Sequence, residues 1–342
     1  MIRADRGPTD TVSSTRRIRV GFLGAGGWGR ECHLPALRLV AERMRETTSV
    51  EIGALCERDP AVASEVSAEY GIPRVYGTVE ELAAAPDVDC FVVIVRPSSL
   101  RALLPVLASR GLPIFTEKPP GLTHDDALWL ARTITVPNVV GFNRRYFPLN
   151  RRYREILGEM QGTYFAGGTM LRSERYDSHR GAGHEPFVTG TGVHLINLME
   201  YFFGRIVSGR TEVLEVSSNA TRAWSCEVRF DTGIRGRMLF LPCSGSHAEW
   251  VEAHSRRQSA FLRGCQYGVL EPPGRIEIHR EGKSLEIIQG DAGLPHLVAA
   301  GFVGEYEAFF RTVTEGRPGD STLETSENTM RVAEAIEAGR SF

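Results

Sequence analysis

Ile18-Arg-Val-Gly-Phe-Leu23, followed at once by Gly24-Ala-Gly-Gly-Trp-Gly29, decides the fold of this chain. The first six residues read as a buried strand, and the glycines after them read as a tight turn that opens a helix. In that setting a G-x-G-x-x-G turn has physical meaning. Gly24 allows the turn, Gly26 lets the backbone approach a pyrophosphate, and Gly29 lets the helix pack closely on the strand. Free N–H groups at the helix start, with the positive end of its dipole, hold phosphates. Gly27 belongs to the same cradle, and Trp28 packs beside the bound group through its backbone position. The stretch is expected to bind a dinucleotide.

Outward from the turn, strands and helices alternate to about Gly141. Pro35 is expected to kink or divide the first helix, because it has no N–H to donate. Val50 to Cys56 is the second strand. Asp59-Pro60 supplies a cap and a first helical residue, and Gly71 a stop. Thr78 to Glu81 fits a capping box. Cys90-Phe-Val-Val-Ile-Val95 is a continuous apolar run, as in a strand buried on both faces of a parallel sheet. Pro113 to Thr116 and Asn138 to Phe142 repeat the theme. The pattern predicts an α/β Rossmann domain, a doubly wound parallel sheet, over residues 18–141. Glu57 ends the second strand, where a carboxylate accepts bonds from ribose hydroxyls and repels a 2′-phosphate, favouring NAD. Arg58 beside it keeps NADP open.

After Pro148 the rhythm changes. A helix is expected to about Met160, a strand over Gly162–Leu171, and a helix over Gly192–Phe203 stopped by Gly204. Further strands are expected at Glu212–Ser218, Trp224–Phe230 and Ile234–Leu241, with a hairpin pairing Arg275–His279 and Ser284–Ile288. Two helices close the chain, the second behind a capping box at Ser321-Thr-Leu-Glu324. Residues 142–342 are thus expected to form an α+β domain with a large, mostly antiparallel open sheet.

At 342 residues two domains are expected. A formal charge of −2 gives no reason to expect a nucleic-acid or membrane-surface partner. No apolar run approaches the roughly 20 residues that span a bilayer. Residues 1–17 lack the apolar core of a secretory signal and read as a disordered tail. The six cysteines are scattered, which suits reduced, mostly buried thiols in a cytoplasmic protein and neither a disulfide framework nor a metal site.

Glu117-Lys118-Pro119, at the end of the fifth strand, adds a second motif. With the glycine turn, Gly141-Phe-Asn-Arg-Arg-Tyr-Phe-Pro148, Gly192-Val-His194 and Glu305-Tyr-Glu-Ala-Phe309, the chain from Ile18 onward resembles the glucose–fructose oxidoreductase, inositol dehydrogenase and rhizopine-catabolism (Gfo/Idh/MocA) family. The resemblance implies an NAD(P)-dependent oxidoreductase that moves a hydride to or from one carbon of a sugar, cyclitol or sugar derivative. It also implies a homo-oligomer, dimer or tetramer, formed through the second sheet. Lys118 takes the family's lysine position, contacting substrate oxygen and cofactor, where an ammonium stabilises developing alkoxide charge. Glu117 sets the backbone beside the nicotinamide, and Pro97 lies nearby. His194 takes the acid/base position, with Asn197 on the same helix face as a substrate contact.

Two positions depart from the pattern. Gly190 stands where many members carry Asp, so Glu174, Asp177 or Glu185 is left to supply that carboxylate. Pro97-Ser-Ser-Leu-Arg101 replaces a Pro-Asn-x-x-His motif, and Arg101 inherits no role from that histidine. Arg144, Arg145, Arg172 and Arg175 form a basic set suited to carboxylate or phosphate, with Arg145 and Arg172 as substrate contacts. Ion pairing of that set with Glu174 and Asp177 is the alternative. His179 and His184 sit in a glycine-rich loop and read as loop histidines without a role, with a lid as the alternative. A redox-neutral sugar-modifying cycle and a non-catalytic dinucleotide-binding regulator remain as other functions of the same fold.

Overall fold

Six runs between Arg16 and Gly141 form one parallel sheet. They are β1 (Arg16–Leu23), β2 (Thr48–Cys56), β3 (Val75–Tyr76), β4 (Cys90–Val93), β5 (Ile114–Glu117) and β6 (Asn138–Gly141), ordered β3-β2-β1-β4-β5-β6. The order reverses between β1 and β4, and ligands of such sheets bind at the carboxyl ends of the strands beside that switch point. Every residue of β4, β5 and β6 is buried, which is why β4 reads as an unbroken apolar run and β5 and β6 each carry an apolar pair. The structure is a computed structural model that describes residues 16–173, 186–216, 222–264 and 274–342. Residues 1–15 of the expected tail, and Glu174, Arg175, Asp177, His179, His184, Glu185 and Cys265, lie outside the described residues. Arg16 and Arg17 are not tail but the start of β1, where Arg17 pairs with Glu51 at 2.5 Å.

The helix after the glycine turn is divided, as Pro35 requires. A π-helical turn, Gly29–His33, hands over to α1 (Leu34–Met44) directly before the proline. Asp59 caps α2 (Pro60–Tyr70) by accepting from Ala61 and Val62 N–H at 2.9 and 3.3 Å. The Thr78–Glu81 box caps α3 (Val79–Ala83). Then come α4 (Pro97–Ala108) and α5 (His124–Thr133).

The second half carries α6 (Pro148–Glu159), β7 (Phe165–Leu171), α7 (Val193–Phe203), β8 (Ile206–Glu215), β9 (Arg222–Phe230) and β10 (Arg235–Leu241). It continues with β11 (Ala248–His254), β12 (Gln258–Arg263), β13 (Arg275–Arg280) and β14 (Lys283–Gln289). These make an eight-stranded sheet, β14-β13-β12-β11-β7-β10-β9-β8, antiparallel except where β7 meets β10. β11 and β12 were not expected as strands, and β8 begins earlier than expected.

The closing helices are α8 (His296–Ala299), α9 (Phe302–Glu315) and α10 (Leu323–Glu337). The cap of α10 is Thr322 with Thr325, one residue beyond the expected Ser321–Glu324 box, because the Ser321 carbonyl instead accepts from Val140 N–H at 2.7 Å. α9 returns to the parallel sheet, where Tyr306, Phe309 and Phe310 are buried with Phe22, Phe115 and Val139. Each such aromatic contributes roughly 1.5–3 kcal/mol by leaving water. Among the described residues no helix is long and apolar enough to cross a membrane.

Candidate active site

The glycine turn joins β1 to the π-helical turn at the switch point of the sheet. Gly24 has φ +91°, and a Cβ there would stand 2.2 Å from the Ile94 carbonyl oxygen, so only glycine fits. A Cβ on Gly29 would come within 2.8 Å of the Gly24 oxygen, the close helix–strand approach expected of that position. Gly26 differs: a Cβ there would meet nothing within 4 Å, and one on Gly27 would meet only Glu31 Oε1, at 3.8 Å. Packing of the chain does not demand those two glycines. The open side they leave, at a helix start with unsatisfied N–H groups, fits a pyrophosphate.

Glu57 faces the same turn. Its Oε2 accepts from Ala25 N–H at 2.8 Å and its Oε1 from Asp59 N–H at 3.1 Å, so the carboxylate is fixed beside the cradle. Arg58 is exposed. Pro97 starts α4, close to the Ile94–Val95 backbone that bounds Gly24. Trp28 is 40% exposed and meets Phe302 edge-on, with 5.8 Å between ring centres.

A cavity of about 160 Å³ opens next to Trp28 and Phe302. Glu117 and Lys118 from the end of β5, and Asn143 and Arg144 from the turn after β6, line one side; Arg172, Thr191, His194 and His247 line the other. The Lys118 ammonium donates to the Gly190 carbonyl at 3.2 Å. Its backbone N–H donates to Glu117 Oε2 at 3.0 Å. Gly190 lies in a second π-helical turn, Val188–Gly192, whose Val188 and Thr189 N–H groups donate to Glu337 at 2.5 and 3.2 Å. Among the described residues, the group that position 190 turns toward the lysine is its backbone carbonyl.

His194, near the start of α7, is buried, packs against Phe142 and has no hydrogen-bond partner at Nδ1 among the described residues. Burial, and then the charges of Arg144, Lys118 and Arg172, hold its pKa well below the ordinary histidine value. The imidazole is neutral at physiological pH and offers an acceptor.

The basic set divides. Arg144 grips Glu249 with Nε at 2.8 Å and Nη2 at 2.6 Å, and Arg172 donates to the same carboxylate. These guanidiniums, with burial opposing them, hold Glu249 at a pKa of about 2. Arg145 and Asn197 are not placed as substrate contacts. Arg145 Nε donates to Asn197 Oδ1 at 2.6 Å and its Nη1 to the Asp320 carbonyl at 2.8 Å, while Asn197 donates to Thr329 at 3.2 Å. That pair braces α7 against the chain before α10, because both side chains are buried and their polar groups must be satisfied there. Arg101 pairs with Asp125 and Asp126 on the surface.

Three features of the site were not read from the sequence: Glu249, His247 and His33. Glu249 carried a signal, since it is in phase with buried Val251 and Ala253 along β11. His33 sits 3.0 Å from Glu117 Oε1 and 2.7 Å from the Tyr306 hydroxyl.

A family model described as an oxidoreductase family with an NAD-binding Rossmann fold matches residues 18–140. The chain is 25% identical over 331 residues to D-xylose 1-dehydrogenase (NADP(+)) 2 of Haloferax volcanii, covering 92% of this chain and 95% of that protein. It is 30% identical over 196 residues to the rhizopine catabolism protein MocA of Rhizobium meliloti, covering 55% of this chain and 58% of that one. In fold it resembles a dehydrogenase from Chromobacterium violaceum, with TM-score 0.80, 20% identity and 96% of each chain covered. It also resembles an oxidoreductase from Agrobacterium radiobacter solved with NAD+, L-tartaric acid and magnesium, with TM-score 0.77, 16% identity and 95% and 98% of the two chains covered. Residues 18–140 thus match the Gfo/Idh/MocA oxidoreductase family model, with its NAD-binding Rossmann fold.

Proposed function

We propose that this protein transfers a hydride between nicotinamide and a hydroxyl-bearing or keto carbon of a sugar or cyclitol derivative, with Lys118 and His194 at the reacting oxygen. The observation that carries this reading is that both side chains line one cavity together with Trp28 of the glycine turn. Residues 18–141 are taken as the dinucleotide-binding unit and 142–342 as the unit that completes the substrate side. Gly24, Gly26, Gly27 and Gly29 would hold the pyrophosphate, and Glu57 the adenosine ribose. The bound nicotinamide supplies the hydride acceptor or donor.

The chain's own groups manage the proton and the charge. The Lys118 ammonium, steered by the Gly190 carbonyl, stabilises negative charge that develops on the substrate oxygen. Neutral His194 accepts the hydroxyl proton or, in the other direction, returns it. His194 is buried and Lys118 half-buried, which limits the water that would compete for these contacts.

Arg144 and Arg172 present two guanidiniums to one carboxylate, Glu249, so this wall keeps a net positive charge. A sugar acid or phosphorylated sugar therefore fits better than a neutral polyol. The anion-binding role expected of Arg145 passes to these two residues. A homo-oligomer assembled through the eight-stranded sheet, and a cytoplasmic location, are part of the same proposal; light scattering of the purified protein checks the first.

Turnover is read from the absorbance of reduced nicotinamide across sugars, sugar acids and cyclitols. Lys118→Ala and His194→Asn should each lower kcat by about a hundredfold or more while NAD still binds. Bound cofactor with no turnover on any of these substrates would defeat the reading.

A further inference from the structure

Glu305, on α9, is fully buried, and among the described residues neither of its carboxylate oxygens has a hydrogen-bond partner. One ligand atom each from Glu305, Glu117 and His33 lie within 4.8 Å of one another. Among the described residues no ion pair reaches Glu305. The other titratable groups facing it are Tyr146, from the turn after β6, and its neighbour Tyr306. Two ionised carboxylates in a dry site without a cation repel each other too strongly to coexist, so one keeps its proton.

The geometry says which one. Glu117 accepts the Lys118 N–H at 3.0 Å and stands 3.0 Å from His33 Nε2, so its oxygens already have polar neighbours. Glu305 accepts nothing. We propose that Glu305 is a positioning residue: a carboxylic acid that directs its proton toward Glu117 and so fixes the carboxylate holding the Lys118 backbone at the cavity. Burial, then the charge of Glu117, place its carboxyl well above the usual carboxylate range, in agreement. The functional part rests on the role assigned to Lys118.

The test is melting temperature against pH for the full-length wild type and Glu305→Gln. Above the unfolded-state pKa of about 4.5, the folded chain holds a proton that the unfolded chain has released, so wild-type stability falls as pH rises. Glutamine keeps a donor and removes the titration. The Gln variant should match wild type near pH 4.5 and exceed it by about 3 °C or more at pH 8. Its kcat and NAD affinity should stay within about threefold, whereas Glu305→Leu, with no proton to offer, should lower kcat at least tenfold.

A flat Tm difference across this range, or a destabilised Gln variant at every pH, would overturn the proposal. So would stoichiometric metal in the purified protein together with a chelator-induced fall in Tm, since the cluster would then be a cation site. If the Leu variant does not fold, the pH slope of the Gln variant decides alone. Full turnover by Lys118→Ala would refute the role of Lys118 and leave the pH result standing, so the two failures are distinguishable.

Discussion

Glu249→Gln is the perturbation with the most definite consequence. The carboxylate is buried on the inward face of β11 and accepts three charge-assisted bonds from Arg144 and Arg172. Its pKa falls from 4.5 to about 2, worth about 3 kcal/mol in favour of the folded anion. Glutamine loses that term and leaves two buried guanidiniums without their counter-charge, so a cost of about 3–5 kcal/mol is expected at pH 7.5. The sign with pH follows from the depressed value. The contribution is complete above pH 4.5 and fades as pH falls toward 2. At pH 3.5 the penalty of the substitution should have shrunk by about 1 kcal/mol. Urea unfolding followed by tryptophan fluorescence measures both, with Trp250 on the same strand as reporter. A penalty under about 1 kcal/mol at pH 7.5, or one that does not diminish in acid, would show that the Arg144–Glu249–Arg172 cluster is not the internal ion pair described above.

Four further outcomes test the site from other directions. Gly26→Ala should leave Tm almost unchanged, since its Cβ meets nothing within 4 Å, yet weaken NAD binding at least tenfold by calorimetry. Gly24→Ala should destabilise the fold by about 2 kcal/mol or more, because its Cβ would lie 2.2 Å from a backbone oxygen. His194→Gln should gain stability relative to wild type as pH falls from 7 to 5. The wild-type imidazole stays neutral in the fold while the unfolded chain takes up a proton, and a pH-independent difference would contradict that. Glu57→Ser should shift the NAD-to-NADP preference at least tenfold toward NADP and cost about 1 kcal/mol for the lost acceptor of Ala25 N–H; unchanged discrimination would remove Glu57 from the ribose site.

The parallel half of the molecule was legible because its physics is local. A strand buried on both faces is a continuous apolar run, and Asp59 and Thr78 find their hydrogen-bond partners within three residues. Where a distant group decides, local reading slipped. Ser321 and Thr322 are adjacent hydroxyl residues, and the carbonyl of the first is claimed by Val140 N–H from β6. β11 and β12 escaped notice because Glu249, Ala253 and Ala260 stand on inward positions usually held by branched or aromatic side chains. Glu249 makes sense there only once guanidiniums 105 and 77 residues away in sequence arrive.

Gly190 shows the same limit at the chemistry itself. Counted back from His194, a glycine at this position reads as the loss of a carboxylate, and one-dimensional reasoning looks for another acidic side chain to replace it. The candidates for that replacement, Glu174, Asp177 and Glu185, lie outside the described residues, and within them the π-helical turn offers a different kind of group. With Glu337 holding the N–H groups of Val188 and Thr189, the Gly190 carbonyl is aimed at Lys118 Nζ. A carbonyl carries only a partial charge, and here it orients the ammonium through one hydrogen bond of 3.2 Å. Burial, and then the charges of Arg144, Lys118 and Arg172, oppose protonation of His194. If a carboxylate mattered at this position for its charge, Gly190→Asp should raise turnover. The geometry says instead that the new side chain would draw Lys118 into an ion pair, shift His194 toward its charged form, and slow proton removal.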